Sequence, residues 1–324
     1  DAWDSQGPAL YLMSGLVTEL IGISPAANRL AMMAVDLATL LLLYALVRSW
    51  CNRPEAIVAA GIFGFFSGAL LVQGDCLATG PPINFLTVLA VFALLRSDGD
   101  RLCWIALSGF ALGLALCFRL ITWLYLAALL LWMLGSRRGA RSRAARWGVR
   151  PVVLLAAAAL PPVAFALYFA AHHALADFWS STAIYHWLFN WPLGRPHFLS
   201  HRLAVLWGLA PEQAALWLFA GGWMLHAFSI GFRRETRLVA FWCLVATFAA
   251  LAVRNVSTED FIQAIPPLAI AAALAVTNPA EHFLRRNAQG RLETSSGMLI
   301  VFSVVLALGF LYTEFHILRY RAAS

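Results

Sequence analysis

The sequence predicts an all-α, polytopic membrane bundle, and three observations carry that expectation. Of 324 residues, 61% are hydrophobic and only 12% charged, where a soluble domain holds roughly 45–50% and about 25%. Apolar runs near the length of a membrane helix, about 20 residues, recur along the chain. The 23 basic residues are all Arg, and they gather in alternate connecting segments, the asymmetry that orients membrane proteins. With a mean hydropathy of +0.75, the chain cannot be a cytosolic enzyme, a disordered protein or a disulfide scaffold. Its basic residues do not alternate with aromatics on a polar face, so nucleic acid is not the expected partner. Cys51, Cys76, Cys103, Cys117 and Cys243 fit no metal spacing and read as small apolar packers.

A single integral-membrane domain, 1–324, is expected, in four stretches. Residues 1–28 form an external segment. Its apolar run 9–23 follows Pro8, carries Glu19 and ends at Gly22 and Pro25. An interfacial helix suits it better than a crossing. Residues 29–171 hold six crossings, at 29–47, 55–72, 83–95, 102–118, 121–134 and 151–171. The run 102–134 is too long for one span, and an Arg at mid-membrane is costly. Arg119 therefore marks the turn of a helical pair. Residues 172–211 form an external loop rich in aromatics, among them Trp179, Tyr185, Trp187, Phe189 and Trp191. Those rings serve either as an interfacial belt or as a platform for a lipid-linked or sugar substrate. Residues 212–324 hold four more crossings, at 212–231, 238–253, 261–276 and 297–314.

With residue 1 outside, 16 Arg fall in cytoplasmic loops and 7 outside. Reversing the chain reverses the bias, so the positive-inside rule selects an external start and, with ten crossings, an external end. The six Arg between Arg137 and Arg150 then form a cytoplasmic anchor beside anionic headgroups. The external face keeps most of the chemistry: Asp1, Asp4, Asp75, Asp177, Glu212, Glu259 and Asp260, and His172, His173, His186, His197, His201 and His316. Asp36 is the odd carboxylate inside a span, seven residues after Arg29. It is either a structural partner within the bundle or a functional group. No spacing calls for a resident cofactor, and a divalent metal has no ligand set behind it.

DSQGPALY at 4–11 resembles the D-x-K-P-P-L-x-Y motif of GT-C membrane glycosyltransferases, the superfamily of protein O-mannosyltransferases, the lipid A aminoarabinose transferase and the lipopolysaccharide-core galacturonosyltransferases. GFALGLALCFR at 109–119 is similar to the family's Gly-rich span ending in Lys or Arg. ALADFWSSTAIYHW at 174–187 and DFIQAIPPLAIAAALAV at 260–276 resemble segments of the galacturonosyltransferase-like branch. The departures are Gln6 for Lys, Gly7 for the first Pro, and Glu259–Asp260 for His-Tyr.

The resemblance implies transfer of a sugar from a polyprenyl-phosphate donor to a lipid, glycan or protein acceptor of the cell envelope, on the external face. The acceptor hydroxyl needs a carboxylate within reach, for which Asp4 and Asp75 are the candidates. The departing lipid phosphate needs a cation, and the Arg fork suits it. Arg119 and Arg254 are placed there, with Gln6, Tyr11, Glu259 and Asp260 as further substrate-binding candidates. The family carries its acidic pair in a loop upstream of the motif, so the expectation is that residues 1–324 bind the donor but lack the general base. The Ala- and Arg-rich composition suggests a bacterial inner membrane with a periplasmic active side. A lipid or solute transporter, or a non-catalytic subunit of a membrane complex, is the alternative. A transporter would show internal repeats and paired midplane charges, and no repeat is evident.

Overall fold

The computed structural model describes residues 7–68, 78–97, 101–135, 148–180, 198–230, 234–252 and 258–277, and these are helical with short connections. The chain begins with α1 (Pro8–Ile21), α2 (Pro25–Arg48), α3 (Arg53–Ser67), α4 (Gly80–Arg96) and α5 (Leu102–Phe118). A 3₁₀ turn (Leu120–Thr122) leads into α6 (Trp123–Gly135), followed by α7 (Val149–Ala171), the five-residue α8 (Leu175–Trp179), α9 (Phe198–Ile230) and α10 (Arg234–Leu251). A second 3₁₀ segment (Thr258–Ala264) runs into α11 (Ile265–Thr277).

Prolines place many of the starts. α1 through α4 each carry Pro in the first two positions, where the missing N–H has no helical partner to lose and the fixed φ suits the turn. Ser24 caps α2 by accepting a hydrogen bond from the Ala27 N–H at 3.0 Å, satisfying one orphan donor. Pro161 and Pro162 lie inside α7, as membrane helices tolerate.

Among the described residues, three helical stretches are long and apolar enough to cross a membrane: Pro25–Arg48, Val149–Ala171 and Thr258–Thr277. Shorter apolar helices accompany them: Pro8–Ile21, Gly80–Arg96, Leu102–Phe118 and Leu120–Gly135. Nine of the ten expected spans overlap helices, the span 55–72 only as far as Ser67; the span 297–314 lies outside the described residues. The segment expected as a loop up to residue 211 is already helical from Phe198. There α9 turns through 101° between Arg202–Ala210 and Glu212–Leu225, at the position where a proline removes a hydrogen bond from the helix ladder.

The core is threaded by the last described stretch. Asp260 through Leu274 are all buried, and a helix apolar on every side belongs in the interior. α11 packs on α3 and α9. Around it stand large buried side chains such as Leu43, Phe63, Ile83, Leu112 and Trp242. Away from it, Leu20, Leu37, Leu131, Val152 and Leu160 point outward and exposed, as lipid-facing positions would.

The tightest packing joins α5 to α7. Gly109 and Gly113, four residues apart, lie against the Leu154 and Ala158 backbone. A Cβ on Gly113 would fall 2.9 Å from the Ala158 Cα and closer still to the Ala158 carbonyl oxygen. This is the small-residue packing by which membrane helices approach backbone to backbone. The partner of each Gly advances with it along the chain, so α5 and α7 run parallel. The alternation read from the Arg distribution requires that same direction.

Candidate functional site

Four described parts of the segments expected outside meet at one end of the bundle. The start of α1, the start of α4, the end of α5 and the 3₁₀ segment Thr258–Ala264 come together there. Arg119 is at the centre. It breaks from α5 into extended backbone, φ −156° and ψ 125°. Its own N–H still bonds the Ala115 carbonyl at 3.1 Å. Its carbonyl accepts from the Thr122 N–H at 3.1 Å and from the Thr122 hydroxyl at 2.8 Å. Thr122 is fully buried, so the Arg119 backbone is held from both sides while the side chain is free to project.

That side chain reaches Asp260. Arg119 Nη1 lies 2.5 Å from Asp260 Oδ1, with the Arg side chain 20% exposed and the Asp 5%. The cation thus keeps an open side and the anion sits behind it. Tyr125, on the first turns of α6, lies within electrostatic range of Arg119. Its hydroxyl donates to Gln263 Oε1 at 3.3 Å.

The 3₁₀ segment is pinned on two sides. Phe261 is fully buried against Leu209 and Ala250, with its ring edge-on to Trp217 at 5.9 Å. The Ile262 carbonyl accepts from Asn84 Nδ2 at 3.0 Å, and the Ile262 side chain packs directly on Gly80. Asp260 is therefore set between two anchored residues and the turn at Arg119.

The described part of the motif, from Gly7 onward, docks at the same place. The Gly7 N–H donates to the Phe118 carbonyl at 2.9 Å, one of the acceptors a helix end leaves unpaired. A Cβ at residue 7 would fall 2.8 Å from the carbonyl oxygen of Phe118 and would collide with that of Cys117. Only glycine permits this approach, which accounts for Gly7 where the related motif has Pro. Behind the site, an apolar crevice lined by Thr87, Leu112, Tyr125, Leu129 and Trp242 has room for about one water, near 10 Å³.

Of the residues singled out in the sequence, Arg119 and Asp260 come together as a pair. Glu259 lies beside them, exposed on the 3₁₀ segment. Tyr11 sits one turn into α1 and is 54% exposed. Asp4, Gln6, Asp75 and Arg254 lie outside the described residues. Tyr125, Asn84 and Gln263 belong to the site without having been expected there. Asn84 had a visible signal, an amide inside an apolar helix just after Gly-Pro-Pro. Gln263 had a similar one. Tyr125 had none, since an aromatic in an apolar run looks like core. Among the described residues no group of three His, Cys, Asp or Glu could hold a metal ion.

Comparison with known proteins gives a consistent result. A family model described as dolichyl-phosphate-mannose-protein mannosyltransferase matches residues 5–186. That span takes in Gly7, Asn84, Arg119 and Tyr125. No curated protein sequence matches. The fold is similar to ArnT of Cupriavidus metallidurans bound to undecaprenyl phosphate, with a TM-score of 0.64 at 14% identity over 95% of this chain and 62% of that one. It is also similar to the oligosaccharyltransferase AglB of Archaeoglobus fulgidus in complex with an inhibitory peptide and a dolichol-phosphate. There the TM-score is 0.61 at 15% identity, over 96% of this chain and 47% of the other. The chain thus spans about six-tenths of the first and about half of the second, and shares the GT-C membrane glycosyltransferase fold with both.

Proposed function

Because the chain belongs to the dolichyl-phosphate-mannose-protein mannosyltransferase family, we propose that it transfers a sugar from a polyprenyl-phosphate donor to a lipid, glycan or protein acceptor of the cell envelope, on the external side of a bacterial inner membrane. The observation that carries the reading is the docking of Gly7 against the Phe118 carbonyl. It brings the end of the family motif next to a partly open arginine.

The chemistry assigns the roles. The acceptor hydroxyl attacks the anomeric carbon, and the bond to the lipid phosphate breaks. Negative charge gathers on the leaving phosphate, which an arginine fork stabilises with paired N–H donors. Arg119 has that position, and Arg254, Gln6 and Tyr11 complete the donor side in this proposal. The proton of the attacking hydroxyl goes to a carboxylate, the role proposed for Asp4 and Asp75. Glu259, exposed at the same end, is placed on the acceptor side.

The test is binding and transfer with detergent-purified protein. A polyprenyl phosphate should bind saturably, and Arg119→Gln should remove that binding while the protein remains folded. Membranes containing the protein should move labelled sugar from a polyprenyl-phosphate sugar into an envelope fraction. A wild-type protein that binds no polyprenyl phosphate refutes the proposal.

A further inference from the structure

We infer that Asp260 is a displaceable counterion: it holds Arg119 when no lipid is bound and yields it to the phosphate when the donor arrives. The inference rests on the reading of Arg119 as the phosphate-binding cation, and it changes the part expected of Asp260, from contacting substrate to competing with it.

Three observations carry it. Arg119 Nη1 and Asp260 Oδ1 are in direct contact, so the carboxylate holds part of the fork that a phosphate would use. The exposures differ, 20% for Arg119 and 5% for Asp260, so an incoming anion meets the guanidinium from its open side with Asp260 behind it. Both backbones are fixed. Thr122 clamps Arg119 through its N–H and hydroxyl. Asp260 is followed by the buried Phe261 and by Ile262, whose carbonyl is bonded to Asn84. The exchange therefore needs only side-chain rotation, with no movement of either segment.

The arrangement has a physical purpose at each stage. In the empty site, an isolated cation at the membrane boundary would be costly, and the pair neutralises it. In the loaded site, two anions face one guanidinium, and the carboxylate gives way to the donor phosphodiester, whose non-bridging oxygens pair with the fork while its lipid tail adds apolar burial that the carboxylate has no match for. After transfer, the product is the free polyprenyl phosphate on the same arginine. Return of Asp260 then favours its departure. The apparent affinity for the lipid is lowered by the fraction of protein in which the pair is closed. That reduction is the cost of turnover.

The experiment compares wild type, Asp260→Asn and Arg119→Gln, each purified full-chain in one detergent, titrated with farnesyl phosphate and separately with inorganic phosphate. Asp260→Asn keeps the shape and removes the charge, so it should bind farnesyl phosphate about tenfold or more tighter, the scale of one charge-assisted hydrogen bond. Arg119→Gln should bind neither probe. A gain with farnesyl phosphate alone marks a lipid phosphate as the ligand; a gain with both marks a site for phosphate in general, and either supports the exchange. If wild type binds and Asp260→Asn binds equally or more weakly, the counterion idea fails while the function stands. If neither protein binds farnesyl phosphate, both fail. A second measurement does not depend on the variant folding: a structure of wild type with farnesyl phosphate should show Arg119 and Asp260 separated by more than about 4 Å, beyond ion-pair range. A bound phosphate with the pair still closed overturns the inference.

Discussion

Gly113→Ala should loosen the α5–α7 pair, and the structure sets its size. The added Cβ would stand 2.9 Å from the Ala158 Cα and 2.8 Å from its carbonyl carbon. Carbon atoms pack comfortably at about 3.5–4.0 Å, so the helices must separate by roughly 0.6–1.1 Å. The obstacle is backbone, which no rotamer change can clear. A gap of that size forfeits roughly a quarter to a half of each affected contact along the seam. Overpacking of this kind costs about 1–3 kcal/mol. Alanine's better helix propensity returns roughly 0.5–1 kcal/mol, leaving a net loss of about 1 kcal/mol at mid-range and about 2.5 kcal/mol at most. Gly61→Ala is the internal control. Gly61 lies inside α3, and a Cβ there meets nothing within 4 Å, so only the propensity gain remains. Unfolding in mixed detergent and SDS, followed by intrinsic fluorescence, should therefore move the midpoint down for Gly113→Ala and slightly up for Gly61→Ala. A Gly113→Ala protein as stable as wild type would refute the close backbone contact, and with it the parallel packing of the two helices.

Gly7→Ala should leave the bundle folded, because α1 lies at its edge, but should break the Gly7–Phe118 hydrogen bond and weaken polyprenyl-phosphate binding by about fivefold or more, one hydrogen bond's worth, read by titration in detergent. Arg119→Gln takes the guanidinium away from the buried Asp260 carboxylate and should destabilise the fold by less than the ~3–5 kcal/mol of a fully buried pair, since Arg119 keeps a fifth of its side chain exposed. Adding Asp260→Asn should restore stability without restoring binding, and failure of that rescue would show the pair is not the reason. Cysteines placed between residues 137 and 150 should resist a membrane-impermeant thiol reagent in intact cells, whereas labelling there would reverse the orientation drawn from the Arg distribution.

Composition alone determined the class of molecule, because a chain with so few charges cannot solvate a surface this long. Helix positions followed from apolar run length and from prolines at helix starts, both local properties that act within a few residues. Arg119 as a break in the run 102–134 was legible for the same reason: a charge inside an apolar stretch has a high cost wherever the stretch is folded. The Arg counts set an expected sidedness, which the cysteine labelling tests. The helical start of α9 at Phe198 was not, since aromatic and polar residues suit an interfacial loop and a helix equally until packing chooses.

Tertiary structure decided the partners. Arg119 and Asp260 are 141 positions apart, and no local rule says which of the external carboxylates an arginine will meet. Their contact exists because α5 ends beside the 3₁₀ segment, and that segment is held by Phe261 in one small core and Ile262 against Gly80. Gly7 likewise reads as an odd substitution within a motif until the Phe118 carbonyl is seen occupying the space of its missing side chain. The sequence determines what each residue can do and how each helix forms, through forces that reach a turn or two. Which groups act together is determined by long-range packing of helices whose sequence separations carry no information about it.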